Sequence, residues 1–393
     1  MRILGIVAEY DPFHNGHEAH LAAAKAAVSP DLTYVVLSPC LKQQGTFALL
    51  SPASRAACAV RAGADAVFAL PVAWTVRDAE HYALGAVSLL AKLGITHLAF
   101  GAEDPDLASL SRLADLLEDQ PDAFRSALRD HLGQGLSWPA ALTGAALKVL
   151  PEDAPALKQP NNLLAVSYLR AIRRLNLNII PVPVPRTTSH HAAVIDPASP
   201  SASAIREALS KGNYRPACAA VPLYTEQALR SLYLSGHAPD ATVADALLLH
   251  RLRTMDKEEI RRLPGLSEGL EDGLVKAAAE SASARDLIDQ LTSRRYPSAR
   301  IRRLCAHALL GLTEQQVAGA PLPSSAHLLA LRRNPAMTAR WKDLDLEILS
   351  TADQWKTALD YGADHTAYRL WAQIHHLPDT LPFTEKVSSL EEP

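Results

Sequence analysis

The sequence predicts an α/β fold, with a Rossmann-like parallel sheet in its N-terminal part and a mostly helical C-terminal domain. Three observations predict it. Short β-branched runs alternate with longer alanine-rich amphipathic stretches over the first hundred residues, the order that βα units require. The apolar runs lack strict in–out alternation, as expected of parallel strands covered on both faces. From about Pro216 onward strand signals nearly vanish, and leucine, alanine and arginine recur at helical spacing.

Strands are expected at Ile3–Ala8, Tyr34–Leu37, Ala66–Leu70 and His97–Phe100. Between them, helices fit His17–Val28, Pro52–Ala62 and Asp78–Leu93, with Pro52 suited to a first turn that needs no backbone N–H. A mostly helical stretch runs from Asp106 to about Leu150, and a helix over Leu163–Leu175 leads into Leu177–Val182, a fifth strand. Ser201 or Ser203 is a natural N-cap for the next helix, since a serine oxygen accepts one of its orphan N–H groups. Helical spacing continues through Ala244–Leu252, Leu274–Leu291 and Ala299–Leu312. The expected organisation is a sheet domain over 1–215, a helical domain over 216–383 and a frayed polar tail over 384–393.

With 393 residues, 48% hydrophobic and 21% charged, the chain has the composition of an ordinary globular protein. A net charge of -3 excludes a uniformly basic nucleic-acid binder but allows a local patch. Residues 1–150 hold 11 Lys+Arg against 15 Asp+Glu, whereas Ser293–Arg303 carries Arg294, Arg295, Arg300, Arg302 and Arg303 with no acid. An anionic macromolecule would therefore meet the C-terminal half. Cys40, Cys58, Cys218 and Cys305 form no metal-ligand spacing, which suits reduced thiols. The Met1–Ala8 run is too short for a signal peptide, and no run reaches the roughly 18 to 20 apolar residues of a membrane span. The expected location is cytoplasmic, with no membrane partner.

The strongest chemical constellation is Glu9-Tyr10-Asp11-Pro12-Phe13-His14-Asn15-Gly16-His17, directly after the first strand and at the start of the first helix. Ligands of open parallel sheets bind beyond the carboxyl ends of strands, and a helix N-terminus offers free N–H groups to phosphate. Two imidazoles three residues apart share one face of that turn, where both can donate to phosphate oxygens. Gly16 keeps a side chain out of a nucleotide's way. A histidine pair is often incidental, or half of a metal site, but no third ligand stands at recognisable spacing. Ser201-Ala202-Ser203-Ala204-Ile205-Arg206 adds two hydroxyls and a guanidinium at another helix start, which in isolation are ordinary capping and surface residues.

These two segments resemble the two ends of the HxGH nucleotidyltransferase superfamily, which includes phosphopantetheine and nicotinamide mononucleotide adenylyltransferases and class I aminoacyl-tRNA synthetases. The likeness to one member family, the tRNA(Met) cytidine acetate ligases, extends over roughly residues 1–312. The opening motif is similar, with Asp11 where asparagine is usual. Leu70-Pro71, Ala79–Val87, Phe100-Gly101-Ala102-Glu103, Gly135–Pro139, Gln159-Pro160-Asn161-Asn162, Arg186 with His190 and His191, and Arg295–Arg303 continue the resemblance in order.

The resemblance implies activation of acetate by ATP, with Mg2+, and acetylation of the wobble cytidine of elongator tRNA(Met) to N4-acetylcytidine. It implies an ATP site from Val7, Ala8 and Glu9 through His17 to His20, with Gly101, Asn161 or Asn162, Arg186, Ser201 and Ser203. His14, His17 and Arg206 would be catalytic, and Arg294, Arg295, Arg300, Arg302 and Arg303 would contact tRNA phosphates. By themselves the asparagines also suit a turn or N-cap, and the arginines a solvated face spread around a helix. The loop Pro39–Pro52 departs from the family pattern: Gln44 replaces an arginine and Pro52 a lysine, while Gln43, Gly45, Ala48 and Arg55 are retained and Lys42 is a candidate substitute cation. The residues leave open an adenylyltransferase for another small acid or phosphate ester, and a relative that holds nucleotide or tRNA without chemistry.

Overall fold

The computed structural model describes residues 1–186, 195–197, 200–267, 269–378 and 387–390. In chain order, β1 (Ile3–Ala8) leads to α1 (Asn15–Val28), β2 (Leu32–Leu37) to α2 (Pro52–Arg61), and β3 (Ala66–Ala69) to α3 (Ala79–Lys92). Then β4 (His97–Ala102) precedes a helical insertion, α4 (Pro160–Arg174) and β5 (Ile180–Pro185). Further on, α5 (Ala202–Ser210), α6 (Ser298–Leu310), β6 (Ser325–Arg332), β7 (Glu347–Leu349), α7 (Gly362–Ile374) and β8 (Ser388–Leu390) place the C-terminal part.

The sheet runs β5-β4-β1-β2-β3-β6-β7, with β8 also on β6. All pairs from β5 to β3 are parallel, and every residue of β2 and β3 is buried, which explains their unbroken apolar character. Strand order reverses at β1, so the crevice beyond the carboxyl ends of β1 and β4 is the topological switch point. Local signals hold the helices in place. Ser51 caps α2 and Asp78 caps α3, each through its side-chain oxygen, and Pro52 occupies the first turn. On the outer strand β5, Pro181, Pro183 and Pro185 alternate with Ile180, Val182 and Val184. Without N–H groups, these prolines blunt an edge open to strand addition.

Two expectations need correction. Strands do not end before Pro216: β6 joins β3 antiparallel, and β7 and β8 join β6, so the sheet is mixed. Ser325–Arg332 reads Ser-Ala-His-Leu-Leu-Ala-Leu-Arg, good helix formers whose short apolar run fits a buried strand equally well. The segment after β6 also returns to the sheet. Tyr361 donates to the Ala69 carbonyl, the Asp364 carboxylate accepts the Val72 N–H at 2.9 Å, and Trp371 donates to the Ala48 carbonyl at 2.8 Å. Second, the polar tail is not wholly frayed, since Ser388–Leu390 forms β8; residues 384–386 and 391–393 lie outside the described residues. Between these parts, Leu248, Leu252, Leu274, Leu287, Ile301 and Leu304 build a separate all-helical core. Among the described residues, no helix is long and apolar enough to cross a membrane.

Candidate active site

Three strand ends converge on the switch point. β1 delivers the histidine turn, β4 delivers Gly101 and Glu103, and β5 delivers Arg186. Val7 and Ala8 end β1, after which Tyr10 takes a left-handed backbone (φ 47°) and the chain turns through Asp11 and Pro12. Phe13 is fully buried, and Tyr10 packs edge-on against it at 4.8 Å. Together they form an aromatic floor under His17, whose ring lies 4.9 Å from Tyr10.

Helix α1 starts at Asn15 rather than at His17, and its N-cap is His14 itself. The His14 Nδ1 accepts the His17 N–H and the His17 Nδ1 accepts the His14 N–H, both at 3.3 Å. This reciprocal cap stacks the two imidazoles at 3.5 Å and 19°. With both Nδ1 atoms accepting, the neutral rings carry their protons on Nε2, and these become the outward donors. Burial lowers the His14 ring to about 3 and the His20 ring to about 4, with Arg186 adding to both effects. His17 falls well below the usual histidine value, again through burial first and neighbouring charge second. Gly16 is needed here for a reason close at hand: a Cβ there would stand 3.1 Å from His14 Cε1. Asn15 faces away from this face, donating its side-chain amide to the Pro197 and Ala219 carbonyls.

On the far wall, Gly101 lies under His20 and Arg186, where an added Cβ would sit 3.8 and 3.6 Å from their side chains. Helix α4 begins earlier than expected, at Pro160, so Asn161 and Asn162 occupy its first turn. Glu103 supplies the missing cap. Its carboxylate accepts the Asn162 N–H at 3.0 Å and the Asn161 side-chain amide at 2.6 Å, as a helix N-terminus favours. Asn161 in turn accepts from Arg186 at 3.3 Å, while Asn162 is fully buried and accepts the Asp104 N–H. Glu103 is the organising residue that sequence reasoning placed in a motif without giving it a role.

The third side is ionic. The Asp11 carboxylate is buried and meets Lys42 Nζ at 2.7 Å, the Leu49 N–H at 2.6 Å and Arg206 Nη1 at 3.5 Å. Arg206 also donates to the Asp11 main-chain carbonyl. Burial would raise the Asp11 carboxyl, but the charges of Lys42, Arg206 and Arg55 overcome it and hold it at about 2. Ser201 caps α5 by accepting the Ala204 N–H, and its hydroxyl meets that of Ser203 at 3.2 Å. Lys42 is therefore no free substitute for the missing loop cations, because it is committed to Asp11. Arg55, fully buried, instead ties the loop to β1 by donating to the carbonyls of Glu9, Ser38, Pro39 and Leu50. An arginine amid the small residues of α2 was the sequence signal for that role.

The loop also reaches the arginine-rich helix. Gln43 bridges the Glu9 carboxylate and the Arg77 carbonyl, and Gly45 (φ +78°) rests on α6, where a Cβ would stand 2.7 Å from the Arg302 carbonyl oxygen. Arg294 and Arg295 are exposed, and Arg302 and Arg303 are partly so. Arg300 is largely committed within the helical core, donating to the Gly265 carbonyl at 2.8 Å and lying 5.0 Å over the Tyr296 ring. His190 and His191 lie outside the described residues.

Among the described residues, His14 Nε2, His20 Nε2, Asn162 Nδ2 and Tyr10 Oη are buried without a partner. Orphaned polar groups are costly, and although others occur elsewhere in the molecule, these four share one crevice beside two arginines, which suits a polar ligand. Paired imidazoles with Nε2 donors, two arginines and a helix N-terminus suit a polyphosphate undergoing displacement.

Comparison with known proteins gives the same direction. A sequence model described as HIGH nucleotidyl transferase matches residues 1–380. The tRNA(Met) cytidine acetate ligase of Kosmotoga olearia is 31% identical over 94% of this chain and 91% of its own length. That of Syntrophomonas wolfei is 34% identical over 81% and 78%. Among solved structures, Thermotoga maritima TmcAL without ligand superposes at a TM-score of 0.93 with 25% identity, over all of both chains. The form of that protein bound to alpha-thio ATP gives 0.91 and 26% over the same extent. The chain belongs to the tRNA(Met) cytidine acetate ligase family, within the HIGH nucleotidyl transferases.

Proposed function

We propose that this protein activates acetate with ATP and transfers the acetyl group to the wobble cytidine of elongator tRNA(Met). The observation that carries the chemistry is the stacked pair His14 and His17, whose Nε2 donors are fixed by a reciprocal backbone cap within electrostatic reach of Arg186 and Arg206. An acetate oxygen attacks the α-phosphorus, the bond to the β-phosphate bridge breaks, and pyrophosphate leaves beside Arg206. Imidazole N–H groups and guanidinium charge stabilise the oxygens on which negative charge grows. The cytidine N4 amine then attacks the acetyl carbonyl, loses a proton as it becomes an amide, and releases AMP.

The ATP site in this reading comprises Val7–His17 and His20 with Gly101, Asn161, Asn162, Arg186, Ser201 and Ser203, and the tRNA contacts are Arg294, Arg295, Arg302 and Arg303. The close approach of Gly45 to the Arg302 carbonyl supports this reading, since a two-step transfer requires the proposed RNA contacts to lie near the nucleotide loop. The protein offers Mg2+ no cage: among the described residues no three His, Cys, Asp or Glu side chains cluster, and Asp11 is spoken for by Lys42 and Arg206. Magnesium would ride on the phosphates with its waters, and no step is assigned to it. The test is incubation with ATP, acetate and elongator tRNA(Met), followed by nucleoside analysis. The expected products are N4-acetylcytidine and AMP; folded protein that binds the cognate tRNA yet forms neither would overturn the proposal.

A further inference from the structure

The ionic knot beneath the histidine turn contains more charge than its burial requires. Asp11 is 1% exposed and Lys42 7%, and the two are committed to each other, while Arg206 at 31% is the most accessible member of the cluster. Both cations nevertheless compete for one carboxylate oxygen, Asp11 Oδ2, with Lys42 at 2.7 Å and Arg206 at 3.5 Å. The other oxygen is taken by the Leu49 N–H, and the Arg206 guanidinium also holds the Asp11 carbonyl. The closer cation is thus the buried one, and the looser one faces the ligand.

We infer that Asp11 and Lys42 are a positioning pair for Arg206: Asp11 fixes the guanidinium in place, and Lys42 neutralises Asp11 so that the charge of Arg206 stays available to polyphosphate. This rests on the ATP-site reading above. The arithmetic of the three formal charges makes it testable. The native trio sums to +1. Removing Lys42 alone leaves Asp11 and Arg206 to cancel, so the trio offers an incoming phosphate no net charge, while the contributions of Arg55, Glu9 and Arg186 stay the same in every variant. Removing both members of the pair restores +1 on an arginine still within reach. Removing Asp11 alone leaves a buried lysine without a counter-ion, which sheds its proton, and the sum returns to +1. A merely structural pair gives a different pattern, in which each loss adds to the damage.

The experiment is a double-mutant cycle on the full chain with Lys42→Met, Asp11→Asn and the combined variant, read by calorimetric ATP affinity and by the KM for pyrophosphate in acetate-dependent ATP–pyrophosphate exchange. Lys42→Met is expected to weaken ATP binding by roughly tenfold or more, as loss of a close charge partner implies, and to raise the pyrophosphate KM with the acetate KM unmoved. Adding Asp11→Asn is expected to bring both back to within about threefold of the parent. A double variant that binds ATP no better than Lys42→Met overturns the inference, as does an equal rise in the acetate KM. Melting curves identify a variant that fails to fold; in that case Lys42→Arg, which keeps the charge, must retain parental ATP affinity or the inference falls. Parent protein that binds ATP but shows no exchange with acetate sinks the acetate reading instead, and leaves the affinity cycle to decide on the pair.

Discussion

In the function proposed above, the histidine turn and the arginine-rich helix are two anion-binding devices built by opposite means. Around His14 and His17 the protein removes water, keeps the imidazoles neutral while no ligand is bound and spends backbone groups to aim two Nε2 donors. On α6 and the loop before it, Arg294 and Arg295 stand in solvent, permanently charged, with no ion pair among the described residues. The first arrangement is strong at short range and indifferent to salt, because buried dipoles are unscreened and need no reorganisation. The second acts over a Debye length of about 10 Å at ordinary salt and tolerates imprecise docking. A transferring enzyme needs both, one for the step that must be geometrically fixed and one for a large substrate that must arrive and leave.

The largest expected effect breaks the first device. His17→Ala removes one donor and half of the reciprocal cap, so acetate-dependent pyrophosphate exchange should fall by about 100- to 1000-fold in kcat, the usual loss for a single transition-state donor. Binding of tRNA, measured by filter retention, should stay at the parental level. A comparable loss in tRNA affinity would show that the two devices are not separable.

A smaller effect tests the second. Replacing Arg294, Arg295 and Arg302 together by alanine should flatten the slope of log affinity against log salt by about 2 to 3, since each phosphate contact contributes roughly 0.7 to 0.9. Exchange measured without tRNA should change less than about twofold, a change within the range of surface substitutions. An unaltered salt slope would move the RNA surface elsewhere on the molecule.

The same contrast decides how much could be read from the chain. The histidine turn was legible because its chemistry is contiguous: strand, turn, glycine and helix start lie within Ile3–Val28. Gly101 was legible as the residue after a strand, whereas Arg186 came from the family resemblance, because the fifth strand was expected to end at Val182 and in fact runs to Pro185. What escaped is everything held together over long sequence distances. Glu103 reaches Asn161 and Asn162 across nearly sixty residues, Asp11 takes Lys42 and Arg206 from two other elements, and Gly45 touches α6 from far upstream. No local period encodes such pairings. The missed strand β6 has the same origin, since helix-forming residues become a strand only because β3 offers them an edge to pair with.

The smallest effect gives the finest distinction, because it asks whether the two devices differ in protons. Burial first, and Arg186 next, hold His14 near 3 and His20 near 4, below the unfolded histidine value of 6.5. Their neutral forms therefore contribute stability that is fully present above about pH 6.5 and is lost as the pH falls toward 4 and then 3, the sign for a depressed folded-state value. Polyphosphate placed beside these rings favours their charged forms, so ATP binding should draw protons from solution between those limits. Guanidinium groups stay charged throughout, so tRNA binding to the arginines should draw none. Calorimetry at pH 6 in two buffers of different ionisation enthalpy measures the uptake, and subtracting the value for His14→Gln removes the nucleotide's own proton. Uptake in the parent should exceed that in the variant by a fraction of a proton. Equal uptake would mean that His14 meets ATP as a neutral donor, and that the device at the turn works through aimed N–H groups alone.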